Sequence, residues 1–358
     1  MTFPQHSDPG AEPNSGAEIE RLQAVVAAFR SRIEAQPDAL FPAHADSLLQ
    51  LGSLLAERGE APAALEVVTE AVELYRAMVE VEPDSFRVHL ASALNNLSNR
   101  LNDAGNPDAA AAAVAEAVAE ARLALASRPD QARFVLVSGL INQAGKRMRD
   151  GDIHGSFAEL AEAVEAFKAG GDSGLPYLGS MIEALHRSAM AFSEIGMWGE
   201  AVDTRRLMIG LFADGPPSAM VHLLALTLQQ ASLAMAGQGR LDVALTCADE
   251  SVELARMLFH KDPVEFKLFL AQALGNQSGR RHQSGDTSGG LDVALEAVNL
   301  FHEAVSADPA AAVPSLILTL GNLSAILSAL GLPDQAAIVD EQRAGLQQTL
   351  ELMVQGRG

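Results

Sequence analysis

One feature constrains the fold of this chain more than any other: a glycine that recurs at a nearly constant interval. The intervals are 46, 46, 45, 43, 46 and 46 residues. They separate seven glycines, Gly59, Gly105, Gly151, Gly196, Gly239, Gly285 and Gly331. A fixed period of this size is typical of repeat architectures, in which each unit is one supersecondary element. Glycine takes up the left-handed conformation that ends many helices, so we expect each one to lie between two helices.

Four further positions share this register. A leucine stands eleven residues before each glycine: Leu48, Leu94, Leu140, Leu185, Leu228, Leu274 and Leu320. Four residues after each leucine the side chain is small: Gly52, Ser98, Ala144, Ala189, Ser232, Ser278 and Ser324. It is small again five residues after each glycine, and thirteen residues after each glycine it is apolar. Small residues on both helices allow close packing, so each unit is predicted to be a helix hairpin that buries its apolar face against its neighbours.

The composition agrees with this prediction, because alanine and leucine favour helices and aromatic residues, which favour strands, make up only 4% of the chain. We therefore predict an all-α, right-handed superhelical solenoid of about seven helix-turn-helix repeats with about fifteen helices. The predicted parts are a disordered leader over 1–16, a leading helix over 17–37 and the solenoid over 38–355.

Two stretches interrupt the pattern on either side of the fourth unit. Glycine and proline cluster near 169–176 and again near 213–217. They are interpreted either as tolerated surface irregularities or as joints between two half-solenoids.

The register resembles that of the tetratricopeptide repeat family. The spacing of Leu51, Gly52, Gly59, Ala64 and Ala71 follows the small-residue signature of that family. The segment 94–98, Leu-Asn-Asn-Leu-Ser, is similar to the Leu-Asn-Asn-Leu-Ala motif of kinesin-light-chain-type repeats. The resemblance covers about residues 41 to 353, in units longer than the 34 residues usual in the family. It implies a concave groove, lined by the first helices, in which asparagines hold extended peptides by their backbone.

Amides occupy six of the seven positions in the row that lies two residues after the anchor leucines, and Arg187 occupies the seventh. At about 100° per residue, this position lies about 200° from the leucine and points away from the buried face. The row comprises Gln50, Asn96, Asn142, Arg187, Gln230, Asn276 and Asn322. A primary amide both donates and accepts hydrogen bonds, which suits a peptide backbone. The predicted peptide-binding residues are these seven together with Asn99, Arg100, Lys146, Arg149 and Arg280. The alternative is that the amides bond to neighbouring helices or face water.

Several classes of function are disfavoured by charge and motifs. A net charge of −21 repels phosphate, so we expect neither nucleic acid nor a membrane as partner. Cys247 is the only cysteine, no histidine pair has metalloprotease spacing, and no Walker loop is present. We accordingly expect no enzyme, cofactor or metal. The uncharged stretch 309–333 is interpreted as a buried helix of a cytoplasmic protein.

These observations predict a scaffold that captures an extended, possibly acidic, segment of another protein. One alternative is a regulatory switch that flexes on binding a peptide or ligand and acts on a second protein. Another is a noncatalytic subunit of a larger assembly that uses its convex face.

Overall fold

The computed structural model describes residues 15–32, 37–171, 178–212, 214–306 and 308–355. These residues form fifteen α-helices and no strand. The all-helical fold class predicted from the sequence is therefore confirmed. The predicted leader lies mostly outside the described residues, and the leading helix begins at Ser15 and not at residue 17.

The chain divides into two compact units, residues 1–181 and 182–358. The first unit opens with α1 (Ser15–Arg32) and continues with three helix pairs. They are α2 (Pro37–Glu57) with α3 (Ala61–Val81), α4 (Pro83–Asp103) with α5 (Pro107–Ala124), and α6 (Pro129–Arg149) with α7 (Ile153–Ala169). The first helix of each pair is called an A helix below, and the second a B helix.

The boundary between the units falls within α8 (Leu178–Glu194), which pairs in sequence with α9 (Trp198–Ile209). The second unit continues with three more pairs, α10 (Ser218–Gly237) with α11 (Leu241–Lys261), α12 (Pro263–Gln283) with α13 (Thr287–Val305), and α14 (Pro309–Ala329) with α15 (Pro333–Gln355). The two predicted breaks fall between helices, after α7 and after α9.

The recurring glycines have the conformation that the sequence predicts. All seven have positive φ, between 74° and 96°, and each lies in the turn from an A helix to its B helix. At Gly105 the turn is closed by hydrogen bonds from Gly105 N to the Asn102 carbonyl and from Asn106 N to the Leu101 carbonyl. Proline starts several of the helices, as at Pro83 and Pro129, where its missing N–H costs nothing because the first helical N–H has no partner within the helix.

The core follows the register closely. The seven anchor leucines are all 0% exposed, and the small residues four positions after them are all buried. Where the small residue is serine, its hydroxyl can bond across the hairpin: Ser98 Oγ donates to the Ala110 carbonyl at 2.8 Å. In the third helix pair the roles are exchanged, because Ser156 Oγ on the B helix donates to the Ala144 carbonyl on the A helix at 2.9 Å. The position thirteen residues after the glycine is less uniform, since Ile209 is half-buried and Ala344 is exposed.

In the first unit successive helices from α1 to α7 pack against each other, and in the second unit the same holds from α9 to α15. Successive A helices also touch, as α4 does with α6 and α12 with α14. This arrangement leaves one side of each A helix facing away from its B helix. The site residues predicted from the sequence lie on that side.

Candidate functional site

The predicted site residues occupy one side of the A helices, called here the A face. In the first unit the A face comprises Gln50, Asn96, Asn99, Arg100, Asn142, Lys146 and Arg149. In the second unit it comprises Arg187, Gln230, Asn276, Arg280 and Asn322. None of these side chains is fully buried, although every anchor leucine is. Gln50, Arg149, Arg187 and Gln230 are exposed, and the others are half-buried.

Two of the amides bond to a neighbouring A helix. Asn142 Nδ2 on α6 donates to Asn95 Oδ1 on α4 at 2.8 Å and lies 3.4 Å from Asn99 Oδ1. Asn322 Nδ2 on α14 donates to the Gly275 carbonyl on α12 at 3.0 Å. Both amides therefore contribute to packing between repeats, and replacing either one should affect stability.

The other amides of the row behave differently. Within the described residues, no hydrogen bond is made by the side chains of Gln50, Asn96, Gln230 or Asn276. Asn96 and Asn276 are half-buried, so their positions are restrained by neighbouring atoms while their amides stay accessible. A half-buried amide with free donors and an acceptor is suited to bonding a peptide group.

Three of the basic residues on the A face have a nearby carboxylate that lies on their own helix or directly after it. Lys146 Nζ lies 2.6 Å from Asp150 Oδ1, Arg100 lies 3.4 Å from Asp103, and exposed Arg187 lies 3.8 Å from Glu183. Ion pairs that stay in contact with water contribute at most about 1 kcal/mol each. They nevertheless reduce the positive charge that these residues offer to a ligand.

Arg147 and Arg281 face the leucine side of their helices, and the structure shows why arginine is tolerated there. Arg147 bonds to Asp152 at 2.6 Å and to Glu159 at 3.1 Å. Arg281 bonds to Asp286 at 2.9 Å and lies 3.5 Å from Asp249. Pairing with carboxylates therefore neutralises both guanidinium groups on the leucine side of their helices.

A second row of charges, on the B helices, was missed in the sequence. In each pair an arginine forms two hydrogen bonds with a glutamate on the next B helix. The arginine lies on a B helix in every pair but one, since Arg30 lies on the leading helix α1. The pairs are Arg30–Glu70, Arg76–Glu116 and Arg122–Glu162 in the first unit, and Arg206–Glu250 and Arg256–Glu296 in the second. A signal was available, because each of these glutamates stands eleven residues after a recurring glycine. This row has a structural role, since bidentate pairs fix the spacing of successive helices.

Arg205 on α9 departs from the register in another way. It is 2% exposed and occupies the position that Val68, Val114 and Leu160 hold in the first unit. Its Nη1 lies 2.7 Å from His186 Nδ1, and its buried Nε has no hydrogen-bond partner. Burial lowers the pKa of Arg205. Burial and the charge of Arg205 both lower the pKa of His186, so the histidine stays neutral and accepts the hydrogen bond.

A partly open cavity of about 420 Å³ lies between α9, α10 and α11 in the second unit. Trp198, Met235 and Cys247 line its apolar part, and Arg206 and Glu250 lie at its charged side. Burial raises the pKa of the Cys247 thiol, which keeps it protonated and unreactive.

Two features of the described residues concern metal ions and membranes. No group of three or more His, Cys, Asp or Glu side chains has an arrangement that could hold a metal ion. Two helices, α10 and α14, are long and apolar enough to cross a membrane. In their most apolar 18-residue stretches, 44% and 50% of the residues are buried inside the protein. Core helices of water-soluble proteins meet the same criteria, and α14 packs against α12, α13 and α15.

The match to a known family lies in the helix pair α4–α5 and the residues directly after it. Residues 90–128 match the family model described as tetratricopeptide repeat. The chain contains a tetratricopeptide repeat. The resemblance noted from the Leu-Asn-Asn-Leu-Ser segment is thereby confirmed, and that segment lies within the matched residues. The other helix pairs share the glycine and leucine register of this tetratricopeptide repeat. Proteins built from such helix pairs present extended surfaces that bind other proteins.

Comparison with solved structures finds distant similarity. BtubC (BKLC) from P. vanneervenii is 16% identical, with a TM-score of 0.39, over 67% of this chain and 91% of that one. The apo form of RapI is 13% identical, with a TM-score of 0.38, over 83% and 99% of the two chains. The apo form of the quorum sensor NprR from B. thuringiensis is 13% identical, with a TM-score of 0.35, over 93% and 83%. No curated protein matches the chain in sequence.

Proposed function

We propose that this protein is a noncatalytic scaffold that binds an extended peptide segment of another protein along the A face. The observation that carries the proposal is the pair Asn96 and Asn276. Both hold the same register position, both are half-buried, and neither side chain is bonded within the described residues. Their amides can donate to and accept from the main chain of a ligand, which gives binding that depends little on the ligand's sequence.

The proposal assigns different roles to amides that look equivalent in the sequence. Asn96 and Asn276 would contact the ligand, with Gln50 and Gln230 at exposed positions beside them. Asn142 and Asn322 would hold neighbouring A helices in place and so shape the surface. We also propose that the protein works in the cytoplasm and binds a protein or peptide, with no nucleic acid or membrane as partner.

The test begins by selecting ligands for the full chain from a library of twelve-residue peptides displayed on phage. Binding of a selected peptide is then measured by calorimetry for the parent, N96A, N276A and N142A. One lost net hydrogen bond is worth about 0.5–1.5 kcal/mol, so N96A or N276A should weaken binding by about two- to twelvefold. Neither variant should change the melting temperature by more than about 2 °C, whereas N142A should lower it, because Asn142 bonds α6 to α4.

Failure to select any peptide would contradict the proposal. So would a selected peptide that binds N96A and N276A as tightly as the parent.

A second candidate function is a regulatory switch that responds to the bound peptide and acts on a second protein. The division of the chain into two compact units favours it, because the boundary in α8 lies close to the break predicted near 169–176. X-ray scattering of the protein with and without a selected peptide tests this candidate. A radius of gyration that changes on binding supports a switch, and an unchanged value supports a passive scaffold.

A further inference from the structure

The basic residues of the A face differ in whether the protein itself neutralises them. Arg100 has a carboxylate on its own helix, Asp103, and Lys146 has one directly after its helix, Asp150. Arg280 stands in the same register on α12, six residues after its anchor leucine, as do Lys146 and Arg100. Within the described residues, no carboxylate lies within ion-pair distance of Arg280, and its Nε is buried without a hydrogen-bond partner.

The sequence explains why Arg280 lacks a partner. The positions three and four residues after it are Gln283 and Ser284, where the first unit has Asp103 and Asp150. On the preceding A helix, α10, the register position of Asp103 is Gly237. Burial lowers the pKa of Arg280, and no neighbouring acid raises it. The guanidinium is thus a half-buried cation, and the positions equivalent to Asp103 and Asp150 of the first unit hold no carboxylate.

Arg280 also borders an open depression of about 500 Å³ at the C-terminal ends of α10 and α12. Leu233 and Gln283 line the same depression. Leu233 is 64% exposed. Its helix, α10, carries no charged side chain, so no charge on that helix lies beside it. Other exposed leucine or methionine side chains lie at neighbouring A-face positions of the second unit, namely Met190, Leu226 and Leu318. The described A-face positions of the first unit have none.

We propose that the A face of the second unit is the docking site for a protein segment in which an internal aspartate or glutamate lies next to an apolar side chain. The carboxylate binds Arg280, and the apolar side chain fills the depression against Leu233. The proposal rests on the proposed function, because the segment runs along α12 with its main chain bonded to Asn276. Asn276 lies one helical turn, about 6 Å, from Arg280, a distance that about two residues of extended chain span.

Charge and geometry select this occupant. A purely apolar partner would cover Arg280 and leave the guanidinium desolvated and unpaired, which is costly. An acidic partner without apolar neighbours would leave Leu233 in water. We assign the carboxylate to a side chain within the segment, an assignment that peptides with an amidated C-terminus can test.

The test uses peptides selected on phage against the full chain and then synthesised with an amidated C-terminus, which removes the terminal carboxylate. A selected peptide and its Glu→Gln or Asp→Asn analogue are compared by calorimetry on the parent, R280A, S284D and S284N. S284D leaves Arg280 in place and supplies the carboxylate that Asp150 provides for Lys146 in α6. S284N is its matched control, with the same shape and no charge.

We expect selected peptides to contain an acidic residue within three positions of Leu, Ile, Met or Phe. Three changes should each weaken binding by about tenfold or more: removal of the ligand's charge, the variant R280A and the variant S284D. The control variant S284N should bind as the parent does. The effect of S284D cannot come from misfolding if S284N binds normally and both variants melt at the parent temperature. Binding should also weaken as salt is raised.

Selection of peptides that bind R280A and the parent equally would overturn this inference while leaving the proposed function standing. Failure to select any peptide would end both. Two further results would overturn this inference: binding of the protein to neutral phosphatidylcholine vesicles, and self-association in sedimentation. Either result counts if it is unchanged in R280A but lost in Leu233→Ser, because the face would then serve a membrane or a second copy.

Discussion

Arg122 on α5 and Glu162 on α7 are joined by two parallel hydrogen bonds, 2.9 Å and 2.7 Å long. They belong to equivalent helices of consecutive repeats and lie 40 residues apart in sequence. The same arrangement recurs at the other arginine–glutamate pairs of the B helices. The regular period of the sequence thus repeats a long-range contact as well as a local helix hairpin.

The coupling between Arg122 and Glu162 should be measurable but small. Their side chains are 48% and 40% exposed, so water screens the charges. A double-mutant cycle with R122A and E162A, read by chemical denaturation, should give a coupling of about 0.2–1 kcal/mol that shrinks as salt is added. The pair Lys168–Glu165, within one helix, serves as control and should couple more weakly. A coupling of zero at low salt would show that the pair has no role in holding successive repeats.

Glu70 should make the stability of the first unit depend on pH. The hydrogen bond from Arg30, followed by its charge, lowers the pKa of Glu70. A carboxylate whose pKa is lowered by folding contributes stability that is complete above its unfolded pKa and is lost as the pH falls through the folded one. The free energy of unfolding should therefore decrease on acidification below about pH 4.3, the ordinary glutamate pKa. E70Q should show a shallower decrease than the parent over that range, and identical slopes would contradict the assignment.

Gly105 and Gly52 should both resist replacement by alanine, for different reasons. Gly105 has φ +74° and open space around it, so G105A should cost about 1 kcal/mol through backbone strain alone. Gly52 is helical, but a Cβ there would collide with Val68 Cγ2, so G52A should cost about 1–3 kcal/mol through overpacking. Adding V68A should relieve part of the cost of G52A and none of the cost of G105A. Equal effects of V68A on both variants, measured by urea denaturation, would contradict this distinction.

Replacing Arg205 by leucine should stabilise the second unit. The arginine is buried without a carboxylate partner among the described residues, at a position where the third helix pair has Leu160. Removing a buried charge that has only a neutral partner should raise the free energy of unfolding by about 1 kcal/mol or more. R206L is the control, because Arg206 bonds to Asp203 and Glu250, and that variant should lose stability. A destabilised R205L would show that the contact with His186 outweighs the cost of burial.

Deleting residues 333–358 should cause aggregation. The helix α15 covers α14, where Ala336 is buried and Ser324 Oγ donates to Asp340 at 2.9 Å. Without α15, the uncharged helix α14 would expose buried residues such as Leu323 and Leu327. Light scattering should detect association, and the melting temperature should fall. A truncated protein that stays monomeric with the parent melting temperature would refute this prediction.

The sequence alone determined the helices, their turns and the core. A periodic glycine marks a left-handed turn, and a periodic leucine marks a buried position, so both can be located from the sequence. Gly105 is left-handed, and Leu94 is fully buried. The A face could be predicted as well, because the direction of a side chain follows from its position along a helix. The breaks on either side of the fourth unit were visible in the same way, through their glycines and prolines.

Only the tertiary structure decided which of the equivalent A-face residues are engaged. Asn96 and Asn142 share one register, but Asn95 lies within reach of Asn142 because α4 and α6 pack side by side. Likewise, Lys146 and Arg280 differ in pairing because the positions around them on two helices hold different residues. A register specifies the direction of a side chain from its own helix, whereas its partners depend on the helix packed beside it, and that neighbour is set by the fold.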